Sequence, residues 1–152
     1  MKIVKGDNAA AIDKDQINKF ETFIGGKLPK DYKTFLLKYN GGRPEPDIFK
    51  TVNGSYESDI QLFYGIREDQ YYYNIAHQYQ TFKSRIPNNT IPIANDSLGN
   101  IILLNLKTEK VCFFDHKLEK TFLIADSFKF FVKNLYKIDL EESGLDLSLI
   151  HI

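Results

Sequence analysis

Three histidines, His77, His116 and His151, and one cysteine, Cys112, are the residues best equipped for metal binding or nucleophilic catalysis. No two of them stand in an HxxxH, HExxH or paired-cysteine spacing, so no metal site is readable and no cofactor is expected. Cys112 and His116 lie four apart in VCFFDH. On a strand that spacing puts them on one face but about 13 Å apart, too far for a shared metal or a thiolate–imidazole dyad. Between Val111 and Phe113, Cys112 reads as a small buried hydrophobe, and His116 as a turn residue at a strand end.

The carboxylates are no better arranged for acid–base work. Glu68-Asp69 and Glu141-Glu142 are adjacent, so their side chains diverge on any regular element. Asp96, in Asn95-Asp96-Ser97-Leu98-Gly99-Asn100, is placed to accept backbone N–H groups of its own loop. A small hydrolase built on Asp96 and His116 is the one catalytic alternative these residues leave open. Gly41-Gly42 lacks the surroundings of a phosphate-binding loop. Tyr71-Tyr72-Tyr73 stands out instead. Three consecutive tyrosines cannot all face a core, so at least one is expected at the surface, where tyrosine favours protein contacts. Glu68, Asp69 and Gln70 precede them, which predicts an acidic–aromatic contact surface.

Several elements must position these groups. The clearest is LPKDYKTFLLKYNGGRPEP, Leu28 to Pro46. Pro29 suits a first helical turn, Asp31 complements the positive end of the helix dipole, and Tyr32, Phe35, Leu36 and Tyr39 make one apolar face. Asn40-Gly41-Gly42 accepts positive φ and ends the helix, and Pro44 blocks its continuation. A shorter helix is expected over Asp15 to Ile24, capped by Asp13 or Asp15 and stopped by Gly25-Gly26. Asp47–Val52 and Asp59–Tyr64 read as a hairpin-like pair around Asn53-Gly54-Ser55, and Tyr71–Ser84 as a helix. Ile91–Ala94, Ile101–Leu106, Val111–Asp115 and Thr121–Ala125 read as strands, the middle two apolar on both faces and therefore covered on both sides. Asp126-Ser127 caps a final helix with Phe128, Phe131, Val132, Leu135 and Tyr136 on one face. The tail Leu145–His151 alternates and could be an edge strand or a docking segment. The sum is an α+β single domain: a mainly antiparallel sheet of about five to six strands, an N-terminal helical pair and a C-terminal helix.

Bulk properties narrow the function. Net charge is zero, with 20 basic and 20 acidic residues, which argues against a nucleic-acid binder that relies on neutralising phosphates. The charge is uneven. Residues 1–40 carry eight lysines against five acids, residues 41–80 three basic against six acidic groups, and the stretch from Ile138 onward four acids and no lysine or arginine. An acidic middle and tail fit a basic partner. A single cysteine excludes an intrachain disulfide. The N-terminal residues lack the apolar stretch of a signal peptide and no window approaches a membrane span, so a cytoplasmic protein without membrane contact is expected.

The motifs quoted above resemble the SUKH superfamily, which includes a yeast regulator of cell-wall synthesis and many bacterial members. The similarity runs from about Asp15 to Leu135, with a core of about 15–137 in a single domain over 1–152 and 138–152 as an acidic, apolar tail. Its most specific pieces are LPxDYxxFLxxxNGG, Leu28 to Gly42, and PxAxDxxGNxxxL, Pro92 to Leu104. Leu28, Pro29, Tyr32, Asn40, Gly41, Gly42 and Pro44 match the first motif region, and Asp96, Gly99 and Asn100 the second. Asn105 departs from an Asp found in many members. The resemblance implies an immunity protein, not an enzyme, whose partner is a cognate toxin protein, often a nuclease, blocked by occlusion. A regulatory scaffold for an endogenous protein, as in eukaryotic members, is the alternative it implies. The family's toxin-contacting surface is diverse, so the contact residues expected here come from the acidic and tyrosine-rich middle: Glu57, Asp59, Glu68, Asp69, Tyr71, Tyr72 and Tyr73.

Overall fold

A computed structural model describes residues 1–4 and 9–138. Strand β1 (Lys2–Val4) is followed by α1 (Lys14–Ile24), α2 (Lys30–Tyr39), β2 (Arg43–Glu45), β3 (Ile48–Lys50), β4 (Glu57–Asp59) and β5 (Leu62–Phe63). A 3-10 turn (Tyr71–Tyr73) then leads into α3 (Ile75–Phe82), β6 (Thr90–Asn95), β7 (Ile101–Asn105), β8 (Val111–Asp115), β9 (Lys120–Ala125) and α4 (Phe128–Lys133). The main sheet is five-stranded and antiparallel in the order β5-β6-β7-β8-β9. Two small antiparallel pairs, β1–β2 and β3–β4, complete an α+β architecture with the expected helical pair and final helix.

The helix signals act as read. Asp13 caps α1 in a reciprocal capping box with Gln16, and Gly25 closes it in the left-handed region. Ser127 caps α4 by accepting from the Phe130 N–H at 3.1 Å. Pro29 sits one residue earlier than its helix-first reading, at the cap of α2. Aromatic packing centres on Phe35, whose ring centroid lies 4.9 Å from that of Phe63, 5.1 Å from Phe128 and 5.5 Å from Tyr39. Each such pair contributes about 0.5–1.5 kcal/mol beyond its area. In the central strand β7, Ile102 and Leu104 belong to the main core. Ile101 and Leu103 join a second cluster with Ile86 and Phe114, on which Phe82 of α3 packs. The strand is covered on both faces, as its unbroken apolar run predicts.

Three readings are corrected. The hairpin partner of β3 is Glu57–Asp59, whereas Leu62 and Phe63 pair with Asn95 and Ala94 of the main sheet. Leu62 and Phe63 are both buried, and the sheet offers cover on both faces that a lone hairpin cannot. The helix expected over 71–84 is broken at Asn74, whose side chain caps α3 by accepting from Ala76 N–H at 3.3 Å, leaving the tyrosines in a separate turn. Cys112 is half-buried, its thiol pKa raised by that burial. The β1–β2 pair had no signal in a three-residue apolar fragment. The tail reading over 145–151 lies outside the described residues.

The end of α2 is the joint of the molecule. Asn40 is 2 % exposed and left-handed at φ 50. Its Oδ1 accepts from Ile66 N–H at 2.7 Å, and its Nδ2 donates to the carbonyls of Ala10 and Ile66, both at 3.0 Å. A Cβ on Gly65 would lie 2.1 Å from the Asn40 carbonyl oxygen, so only glycine allows this approach. Gly65 in turn donates to Tyr73 O at 3.0 Å and accepts from Ile75 N–H at 2.8 Å. The helix stop thus fixes the segment just after β5, and that segment fixes the tyrosine turn.

Candidate functional site

The tyrosine turn is rigid from below and open above. Gln78, itself buried, donates from Nε2 to Tyr72 O at 2.9 Å. Tyr73 faces inward under the Arg67 guanidinium, 5.8 Å from its ring centroid. Tyr71 lies against the His77 ring yet is 70 % exposed as a residue, and Tyr72 is 78 % exposed. Two large rings are therefore presented to solvent on a backbone that pays its ordering entropy during folding, not on binding.

Tyr71–Tyr73 line a groove of about 370 Å³ with Arg43, Gln61, Leu62, Gln70 and Asn95. Arg43 and Gln61 also line a neighbouring groove of about 670 Å³ that holds Glu45, Asp47, Asp59, Ser97 and Lys137. The two grooves adjoin at Arg43 and Gln61 and together make up a trough with the tyrosines on one side and the acidic cluster on the other. Burial raises the Asp47 pKa above its ordinary value, the nearby Asp59 raises it further and Glu45 adds a smaller push, while Lys137 opposes them. Asp59 is built in, its Oδ1 accepting from Ser97 N–H at 2.9 Å and its Oδ2 from the Ser97 hydroxyl.

The structure sorts the seven expected contact residues. Asp59 and Tyr71, Tyr72 and Tyr73 share the trough. Glu57 lies on the same strand as Asp59, with its carboxylate accepting from the Tyr136 hydroxyl and 3.7 Å from Lys50 Nζ. Glu68 lines a different groove, with Lys19, Phe20 and Phe23 of α1. Asp69 is clamped by Arg67 through two 3.0 Å bonds, which hold its pKa below the usual carboxylate value. Sequence reasoning did not single out Arg43, Glu45, Asp47, Gln61 or Asn95. Nothing local marks them, because strand pairings between distant segments bring them together.

The Asp96 loop has the structural role its spacing suggests. Asp96 is 1 % exposed; its Oδ1 accepts from Leu98 N–H at 2.9 Å and Asn100 N–H at 2.7 Å, its Oδ2 from Ser58 Oγ at 2.8 Å and Asn100 Nδ2 at 3.0 Å. Four bonds use the carboxylate's accepting capacity. Among the described residues the His116 ring hydrogen-bonds to Asn100, Nδ1 to Oδ1 at 2.7 Å. Because Asn100 turns its amide toward Asp96, that imidazole nitrogen is the donor. Asp96 does not touch His116, and the pair lacks the direct contact a hydrolytic dyad needs. Among the described residues no group of three or more His, Cys, Asp and Glu could hold a metal ion, and no helix is long and apolar enough to cross a membrane.

Comparison with known proteins agrees with the motif reading. The chain is 32% identical over 159 residues to the SPbeta prophage-derived uncharacterized protein YokK of Bacillus subtilis (strain 168), a match covering 91% of this chain and 82% of that protein. The sequence pattern of the SMI1 / KNR4 family (SUKH-1) matches residues 11–134, which spans both motifs, the joint and the whole trough apart from Val4, Lys137 and Ile138 at one end. The chain therefore belongs to the SMI1 / KNR4 family (SUKH-1).

Proposed function

We propose that this protein is a cytoplasmic immunity protein that neutralises a cognate secreted toxin, a nuclease domain, by covering it with the tyrosine–acid trough. The observation that carries the reading is the pair Tyr71 and Tyr72, 70 % and 78 % exposed on a turn locked by Gly65 and Gln78. Pre-ordered aromatic rings are what protein interfaces use as anchors. The neighbouring Glu45, Asp47 and Asp59 supply negative charge, which suits a nuclease surface made basic by its need for phosphates. Family membership and a relative carried by a prophage support a role in conflict between genomes. Glu57, Glu68 and Asp69 lie outside the two grooves, where charge steers association more than it holds a complex.

Co-expression with the toxin encoded beside the gene tests this. Cells should survive with the protein and die without it, and the purified pair should form a complex by calorimetry. Replacing Asp47 and Asp59 together by lysine should abolish rescue. Absence of both rescue and complex, or capture of an endogenous enzyme alone in a pull-down, overturns the proposal.

A further inference from the structure

The tyrosine half of the trough does not have the sign that its sequence neighbourhood suggests. Glu68 lies in another groove and Asp69 is neutralised by Arg67, so the charged group lining the tyrosine groove is Arg43. The Arg43 side chain is exposed and makes no ion pair or side-chain hydrogen bond among the described residues. Glu45, two residues on, is turned toward Lys137 at 3.9 Å. A guanidinium without an ionic partner among the described residues and two exposed rings thus line a space of about 370 Å³.

We infer that this groove is a receptor for an acidic residue of the partner protein, its carboxylate on Arg43 and its side-chain stem against the Tyr71 and Tyr72 rings. A carboxylate pairs with a guanidinium through two parallel bonds. The aliphatic stem of an acidic side chain can lie on the exposed rings, a contact that a bare phosphate cannot make. That favours an aspartate or glutamate in a chain over a phosphate group. Arg43 also lines the acidic groove, so the sign of the surface reverses across this residue. A partner must then offer an acid followed by a base in the matching order, and a uniformly basic surface is rejected at the tyrosine end. Such alternation fixes register and excludes wrong partners.

The inference rests on the protein-binding reading above, but its test does not need the toxin. The full chain is titrated with N-acetyl-glutamate N-methylamide and followed by NMR of the side-chain signals of Arg43, Asn95 and Gln70. Its glutamine and lysine counterparts and inorganic phosphate are titrated in parallel. The glutamate probe should shift these signals saturably, with the glutamine and lysine probes and phosphate weaker by about tenfold or more. Arg43→Gln should abolish the response while leaving the unfolding midpoint unchanged. No localised shift with the glutamate probe, an equal response to the glutamine or lysine probe or to phosphate, or an unaltered response in Arg43→Gln overturns the assignment. Toxin rescue with a silent glutamate probe rejects this inference alone; a responsive groove without any toxin complex rejects the immunity reading alone.

Discussion

Two regions of this molecule are rich in polar side chains and use them in opposite ways. At the joint between α2 and β5, Asn40 spends both side-chain amide atoms on backbone groups, and Gly65 passes the constraint to Tyr73 and Ile75. Along the trough, Arg43 has no ionic partner among the described residues, and Asp47 carries its charge against Asp59 and Glu45. A hydrogen bond made inside the fold contributes about 1 kcal/mol, and a buried group left unmade costs more than that. The first region therefore buys stability, and the second holds interaction capacity that only a partner can use.

The largest expected effect is at the joint. Gly65→Ala drives a methyl to 2.1 Å from a backbone oxygen that is itself fixed, so the segment must move away. We expect a loss of about 3 kcal/mol or more from overpacking and broken hydrogen bonds. Asn40→Ala should cost about as much through three lost bonds and an alanine forced to positive φ. Asn40→Gly should recover about 1 kcal/mol of that, because glycine accepts the left-handed backbone. Chemical denaturation reads all three. A Gly65→Ala protein as stable as the parent would remove the joint from its central place.

The contrast sharpens with Tyr71→Ala and Tyr72→Ala. Both rings are mostly exposed, so stability should stay within about 0.5 kcal/mol of the parent. Affinity for the cognate toxin should fall about tenfold or more for each, as for other aromatic anchors, measured by calorimetry. If these variants unfolded easily while binding normally, the tyrosines would belong to the fold and the division between the two regions would collapse.

The joint and the trough differed equally in how far the sequence revealed them. Helix starts and stops are local chemistry, so Asp13, Gly25, Asn40 and Ser127 could be read directly, as could the Asp96 loop and the doubly covered strands β7 and β8. The family resemblance was legible for the same reason, since its motifs are these structural devices. Gly65 was not read as part of the joint, because its partner Asn40 is far away along the chain and a lone glycine carries no such address. Arg43, Asp47 and Asn95 escaped for the same cause: the trough exists only after β2, β4 and β6 are assembled. The acidic–aromatic surface expected around Tyr71 rested on neighbours in sequence, and the fold turns Glu68 to one side and ties Asp69 to Arg67.

Tyr32 tests the joint side of the comparison more gently. It is fully buried against Phe35 and Phe128, with its hydroxyl unpartnered and its pKa driven well above normal by burial. Tyr32→Phe should raise stability by about 1 kcal/mol, since an unpaired hydroxyl leaves the core. Tyr32→Ala should lose about 3–5 kcal/mol by opening a cavity. A substantial loss in Tyr32→Phe would show that the hydroxyl is bonded and that this motif residue is polar by design.

The smallest effect belongs to Asp47, and it separates the two regions by sign. Its folded pKa is raised first by burial and then by Asp59, so its ionised form is less comfortable in the folded chain than in the unfolded one. Above its folded pKa the group therefore subtracts from stability, and below the unfolded value the penalty is gone. Asp47→Asn should raise the unfolding midpoint slightly at neutral pH, with the gain shrinking as pH falls through the Asp47 titration and vanishing in acid. If the proposed interface holds, the same variant should weaken the toxin complex, because it removes a charge from the acidic groove. Thermal unfolding across pH, paired with calorimetry of the complex, measures both. A variant that lost stability at neutral pH would mean that Asp47 is held by favourable contacts and is not part of the unspent charge of the trough.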